Sequence, residues 1–206
     1  HSPMPSDHER TLQPSQPPHP SRPQHSPHAW QRPTYGATTQ YAPGPDTTPA
    51  LDAANTKHVQ EVLGTLLYYA RAVDSTMLAA IGELATQQAA GTKQTMEALT
   101  KLLNYAASHP EATIRFIASD MLLAIESDAS YLSVSKARSR AAGYFFLTNK
   151  RTNATDQHVA NGAVHVICQI MREVLSSSSE GELVAVFQNA KEACPIRSAL
   201  SEMGYP

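Results

Sequence analysis

The sequence predicts a mixed α+β or α/β fold preceded by an arm without a fold of its own, and three observations support this prediction. Twelve of the fifteen prolines lie before Ala50. Between residues 55 and 110, apolar residues recur at steps of three and four, as on amphipathic helices. Beyond Pro110 they occur in short runs typical of strands, and helical spacing returns after Ser177.

Residues 1–50 are the predicted arm. They combine proline with His, Ser, Gln and Thr and contain few apolar side chains. Such a composition cannot bury enough apolar surface to offset the entropy of ordering the chain. We therefore expect a disordered Pro/His-rich segment.

Residues 51–110 are predicted to form a helical segment of three helices. Asp74 and Ser75 separate the first two, Gly91 and Thr92 separate the second from the third, and Pro110 ends the third because proline has no N–H to donate. The apolar stripes of the three helices contain Val59, Val62, Leu63, Leu66, Ala70, Val73, Met77, Leu78, Ile81, Leu84, Ala85, Met96, Leu99, Leu102, Leu103 and Ala106. We interpret these stripes as core.

Residues 111–206 are predicted to form strands and then a helix. Ile114 and Phe116 alternate with Arg115, and three further strand candidates follow in "MLLAIESDASYL", "AAGYFFLTNK" and "GAVHVICQIM". The serines and glutamates of "SSSSEGE" have the form of capping boxes, so a helix begins there. Pro195 is expected to kink or restart that helix, and Gly204 to close it.

The composition gives no indication of a membrane protein or of a generally basic protein. The net charge is -2 and the sequence pI is about 6.5. No apolar run reaches the length of a membrane span. The two cysteines lack both metal-ligand spacing and the density of a disulfide scaffold. We therefore expect an intracellular, non-secreted protein.

Asp128 and Glu182 are the candidate chemical site. An acid on a central strand and an acid on a covering helix can converge, and carboxylate oxygens are the ligands that magnesium prefers. The alternative is that Asp128 only ends its strand and that Glu182 only suits the dipole at a helix N-terminus.

The motifs "SDASY", "KARSRAAGYFFL", "NGAVHV" and "SSSSEGELVAVFQNAKEA", taken in this order, resemble the ribonuclease H domain of copia-type LTR retrotransposon polyproteins. The upstream stretches "VQEVLGTLLYYARAVDSTMLAAI" and "LTKLLNYAASHPEATIRF" are similar to the connection segment between reverse transcriptase and ribonuclease H in those elements. The resemblance implies three antiparallel strands and a helix, forming a truncated ribonuclease H-like fold behind a helical connection segment.

The resemblance also implies a chemistry. Asp128 and Glu182 would be catalytic ligands of two Mg²⁺ ions that cut the RNA strand of an RNA/DNA hybrid. The hybrid would contact a basic hairpin and the start of the helix, through Lys136, Arg138, Arg140, Ser178 and Ser179. The implied partners are the hybrid and the remainder of the reverse transcriptase polyprotein, with no membrane and no small-molecule cofactor. The implied location is a cytoplasmic virus-like particle or the nucleus.

The sequence departs from the family pattern in ways that leave the function open. The family carries a further catalytic aspartate in a "DN" motif that does not occur after Glu182, and no "VDD"-type polymerase motif is present. One hypothesis is therefore a magnesium-dependent hybrid endonuclease fragment. The other is a catalytically incomplete remnant that binds nucleic acid or a polymerase. A helical adaptor unrelated to retroelements is a third alternative.

Overall fold

The computed structural model describes residues 23–29, 46–134, 137–153 and 155–205. Within them, a helical half precedes an antiparallel sheet of three strands in the order β1-β2-β3, and a last helix follows. The elements are α1 (Ala53–Ala72), a short 3-10 turn (Ser75–Met77), α2 (Leu78–Ala85), α3 (Lys93–Ser108), β1 (Leu122–Val134), β2 (Arg138–Thr148), β3 (Ala163–Ile170) and α4 (Ser178–Glu202). The mixed α+β prediction is confirmed.

The first three helices form where the periodicity predicts them. The Asp52 side chain accepts a hydrogen bond from the Asn55 N–H at 2.7 Å and starts α1. Thr92 and Thr95 form a reciprocal capping box at the start of α3. The three helices share one core, made by Val59, Leu63, Ala70, Met77, Leu78, Ala80, Ile81, Leu84, Leu99, Leu102 and Tyr105. The predicted apolar stripes are thus largely core positions.

The sheet lies between two helical layers. Val166 and Cys168 of β3 pack against the core of α1 to α3. On the other face, α4 contacts β1 and β2. Phe145 and Phe146 are 0% and 1% exposed, and as neighbours on β2 they point to opposite faces. Each face therefore buries an aromatic ring of the central strand.

β1 covers all but the first residue of the strand candidate "MLLAIESDASYL" and continues two residues beyond it. The alternative that Asp128 only ends its strand is wrong, because β1 runs to Val134 and Asp128 lies opposite Ala142 in mid-ladder. The pairing continues because β2 offers a partner as far as Arg138. The register changes only between Ser130 and Val134.

The segment 109–121 has no regular structure, so the strand expected at Ile114 and Phe116 does not form. Instead, the Asn161 side chain holds this segment. Its Oδ1 accepts from the Ile117 N–H, and its Nδ2 donates to the carbonyl of Ile117, each at 2.8 Å. Nδ2 also donates to the Leu147 carbonyl at 2.8 Å. One side chain thus joins the linker to the sheet.

α4 begins and ends as predicted but is not interrupted. The Ser177 hydroxyl accepts from the Glu180 N–H at 3.2 Å. At the other end Gly204 has φ +87°, and the Tyr205 N–H donates to the Leu200 carbonyl, as in a Schellman motif. Pro195 lies inside one continuous helix, exposed to solvent, where water can take up the carbonyl that proline leaves without a donor. None of the described helices has both the length and the apolar composition of a membrane span.

Two parts of the predicted arm contact the helices. The prediction of a disordered segment over all of residues 1–50 is therefore too broad. The Gln24 N–H donates to Ser108 Oγ at 3.1 Å, and the His25 ring meets the His109 ring edge-on with centroids 6.4 Å apart. Ala50 pairs with Thr92 in an isolated bridge. Residues 1–22 and 30–45 of the arm lie outside the described residues.

The Asn189 side chain locks α4 onto the sheet. Nδ2 donates to Ser127 Oγ at 2.7 Å and to the Ala142 carbonyl at 2.9 Å. The amide fits because Gly143 has no side chain: a Cβ there would lie 2.7 Å from Asn189 Cγ and closer still to Oδ1. Glycine inside a strand is typical of such a close approach. Asn189 is 2% exposed, so its hydrogen bonds are shielded from water.

We expect Gly143→Ala to lower the free energy of unfolding by about 2–3 kcal/mol, because the new methyl group overpacks the site of the Asn189 amide. Gly64→Ala is the matched control. Nothing lies within 4 Å of a Cβ at Gly64 on α1, so this change should raise stability by up to about 1 kcal/mol. Urea unfolding of both variants tests this. Equal stability of Gly143→Ala and the unaltered chain would contradict the account of α4 packing.

Candidate metal and nucleic-acid site

Asp128 lies on the face of the sheet opposite to α4. Its neighbours Ser127 and Ala129 both face that helix: Ser127 binds Asn189, and a Cβ at Gly181 would lie 3.7 Å from that of Ala129. Successive side chains of a strand alternate between faces, and the ladder is regular through Asp128. The exposed Asp128 carboxylate therefore projects away from the helix that bears Glu182.

Glu182 is exposed beside the inward-facing Gly181. The flank of α4 that is turned to β3 carries Gln188, whose Oε1 accepts from Gln169 Nε2 at 2.9 Å. At about 100° per residue, Glu182 falls on the opposite flank, which is directed away from β3. That flank lies toward β1, but Asp128 projects from the other face of this strand, so the two acids start from opposite faces of the sheet.

The residues present do not fit a magnesium centre in this arrangement. Magnesium needs oxygen ligands around one point at about 2.1 Å, and carboxylates on two faces of a sheet cannot supply them. The described residues contain no group of three or more His, Cys, Asp or Glu side chains able to hold a metal. The Asp128 and Glu182 metal site therefore stays a prediction that this geometry does not support.

The predicted basic hairpin is only partly displayed to solvent. Lys136 lies outside the described residues. Arg138 begins β2 and is half-buried. Arg140, which was also expected to contact nucleic acid, is turned inward, and its side chain is only 13% exposed.

Arg140 joins the sheet to α2. Its Nη2 lies 3.8 Å from Glu83 Oε2, and its Nη1 donates to Cys168 Sγ at 3.6 Å. Nη1 also lies 3.0 Å from where a Cβ would stand on Gly82, so the guanidinium packs closely against the helix. The role that the structure gives Arg140 is therefore to hold two layers together.

Ser178 and Ser179 are exposed in the first turn of α4, as a contact with a hybrid would require. They are not the capping residues, since Ser177 is the N-cap. Glu180 turns back, and its Oε2 accepts from the Ser176 N–H at 2.7 Å and from the Ser176 hydroxyl at 2.8 Å. The backbone and then the side-chain hydrogen bond from Ser176 lower the pKa of Glu180. Neither Ser178 nor Ser179 is therefore the N-cap of α4.

His28 brings the segment 23–29 close to Arg140. Desolvation is the largest cause that lowers the pKa of His28, followed by the positive charges of Arg140 and Lys101, while Glu83 opposes the shift. A neutral imidazole is thus favoured when this segment lies against the helices. Sequence reasoning did not find this contact, because nothing in a Pro/His-rich stretch marks which residues dock.

Sequence reasoning also did not find Asn189 and Asn161, the two amides that position the site. Gly143 was a usable signal for Asn189, because a glycine inside an apolar strand indicates that another group approaches the backbone. No comparable signal marks Asn161. Its position before Gly162 indicates only a turn.

We expect Arg140→Ala to lower the free energy of unfolding by about 1–3 kcal/mol, because it leaves Glu83 without its partner. Part of that loss should disappear in an Arg140→Ala/Glu83→Gln double variant, with a coupling of about 1 kcal/mol. Lys150→Ala, which changes an exposed cation at the end of the same hairpin, should change stability by less than about 0.5 kcal/mol. Denaturant unfolding measures the unaltered chain, Arg140→Ala, Glu83→Gln, the double variant and Lys150→Ala, and zero coupling would show that the ion pair has no energetic role.

We expect acidification to release the segment 23–29. The folded pKa of His28 lies below the ordinary value of 6.5, so the free segment takes up a proton more readily than the docked one. Docking is therefore fully stable above about pH 6.5 and weakens as the pH falls through the lowered pKa. Hydrogen exchange of the Gln24 amide against pH measures this.

Two variants control the experiment. His28→Gln should abolish the pH dependence, and Lys101→Met should bring the pKa of His28 closer to its ordinary value because one repelling charge is removed. A His28 ring that titrates above its ordinary value would contradict the docking.

Comparison of the chain with protein-family models, with curated proteins and with solved structures gives no match. The function must therefore be inferred from the residues and from their arrangement in the fold. These show a sheet clamped between helices, two separated acids, and a hairpin with one inward-facing arginine.

Proposed function

We propose that the chain is a fragment of a copia-type LTR retrotransposon polyprotein, containing a helical connection segment and the first part of a ribonuclease H-like domain. One observation carries this proposal. Three consecutive antiparallel strands are followed by a capped helix that packs over the first two, after a preceding set of helices. This is the order of elements that the resemblance of "SDASY", "KARSRAAGYFFL", "NGAVHV" and "SSSSEGELVAVF" implies.

In this arrangement the fragment acts as a nucleic-acid or polymerase-binding module and does not cut the hybrid by itself. The ancestral activity of the family is magnesium-dependent cleavage of RNA in RNA/DNA hybrids, which needs acids that converge on the metal. Here Asp128 projects from one face of the sheet, and Glu182 belongs to the helix on the other. Binding does not need that convergence.

The groups proposed to contact nucleic acid lie at the start of α4 and at the start of β2. Ser178 and Ser179 are exposed where the first N–H groups of a helix attract phosphate, and Arg138 supplies a cation at the hairpin. The net charge of -2 gives no general attraction to nucleic acid. Binding is therefore expected to be modest and to weaken with salt.

We expect the chain to bind a short RNA/DNA hybrid at low salt and to leave it uncut in magnesium. Arg138→Ala, and Ser178→Ala with Ser179→Ala, should each weaken binding by about three- to tenfold, as the loss of one or two phosphate contacts does. Arg115→Ala is the control, because it removes an arginine of the linker that is exposed, whereas Arg138 is half-buried at the hairpin. Fluorescence anisotropy measures binding, and a gel assay measures cleavage.

Three outcomes separate the alternatives. Magnesium-dependent cleavage that Asp128→Asn or Glu182→Gln abolishes would show that the acids converge in solution, and the nuclease hypothesis would replace this one. Equal weakening by Arg115→Ala would show that binding is nonspecific. The absence of any hybrid binding at low salt would remove the nucleic-acid role and leave only contact with the polymerase.

A further inference from the structure

α4 carries a second apolar stripe on the side away from the sheet. Leu183, Val186 and Phe187 are 70%, 52% and 65% exposed. Ala190 and Cys194 continue the stripe at helical spacing and are also exposed. The sheet takes up the other side of α4, where Gly181, Ala185 and Asn189 are buried. A contiguous apolar stripe of this kind is typical of an interaction surface.

Side chains of the stripe lie at equal spacings on either side of Ala190. Val186 and Cys194 stand at equal distances before and after it, and so do Leu183 and Arg197. Two antiparallel copies that cross at Ala190 would place Val186 against the partner's Cys194. The aliphatic stem of Arg197 would cover the partner's Leu183. The small side chain at the centre permits a close approach of the two helices.

The charges on α4 favour the antiparallel direction. Glu182 lies near the N-terminal end and Arg197 near the C-terminal end, and both are exposed. In the part of the chain that the structure describes, neither side chain forms an ion pair. An antiparallel pair brings each Arg197 beside the partner's Glu182, whereas a parallel pair brings like charges together at both ends.

We propose that α4 pairs with α4 of a second copy of this chain, antiparallel and centred on Ala190. The surface is self-complementary under a two-fold rotation, as a symmetric dimer requires, and it extends over about four helical turns from Leu183 to Arg197. This inference does not depend on the function proposed above, since it uses only the face of α4 that the fold leaves uncovered.

Disulfide trapping tests the direction and the centre of the pairing. In Val186→Cys with the native Cys194, mild oxidation should give a covalent dimer in high yield, because the two thiols face each other across the pair. The unaltered chain, with Cys194 alone on this face, and Val186→Cys/Cys194→Ser should give little dimer. More dimer from Cys194 alone than from the paired cysteines would overturn the antiparallel arrangement.

Sedimentation equilibrium tests the association itself. The unaltered chain should be a dimer, and Phe187→Glu should raise the dimer dissociation constant by about tenfold or more. Tyr68→Glu is the matched control, because Tyr68 is an aromatic residue on α1 with 80% exposure. It should leave association unchanged.

A charge exchange completes the test. Glu182→Arg and Arg197→Glu should each weaken the dimer, and the double variant should restore it, since the opposite charges then meet again in reversed order. Circular dichroism establishes that every variant is folded. An unaltered chain that stays monomeric at the highest concentration reached, or a double variant weaker than both single ones, would overturn the proposal.

Discussion

The amide of Asn189 in the gap left by Gly143 is the contact on which the arrangement of the second half of the chain depends. It fixes the rotation of α4 about its axis, because the donor must reach both Ser127 and the backbone of β2. It also fixes which side chains of β1 face the helix. If β1 slipped by one residue, Asp128 would turn toward α4, but Ser127 would turn away and lose its hydrogen bond.

The sequence predicted the helices well because their ends are marked chemically. Asp74 and Ser177 accept hydrogen bonds from the turns that follow them, and Gly204 adopts the positive φ that closes the last helix. These signals are local and need no knowledge of the fold. The strand predicted in the linker does not form, because local alternation is not sufficient for a strand. The residues around Phe116 alternate as in a strand, but a strand also needs a neighbouring strand to pair with. Here the Asn161 side chain bonds the linker backbone instead.

The faces of β1 could not be predicted from the sequence. Around Asp128 both alternating sets of side chains are small or polar, so hydropathy does not distinguish the inner face from the outer one. The prediction of a basic surface was wrong at Arg140 because charge counting does not show what lies opposite a strand residue. Three cations close together in sequence, Lys136, Arg138 and Arg140, suggested one basic surface, but Arg140 lies on the face of the sheet that is covered by α2 and meets Glu83 there.

The Asn161 side chain has a consequence for how the two halves of the chain are joined. With one oxygen acceptor and one nitrogen donor directed at the N–H and C=O of Ile117, its amide imitates the peptide group of an added strand. The linker backbone is therefore satisfied at this point without a ladder of its own. Residues 114–116 also lie close to Gly162, and the Asp120 N–H donates to the Asn149 side chain. The linker is thus held from residue 114 onward, so that only the residues between Pro110 and Ile114 can vary in length and sequence while the sheet keeps its register.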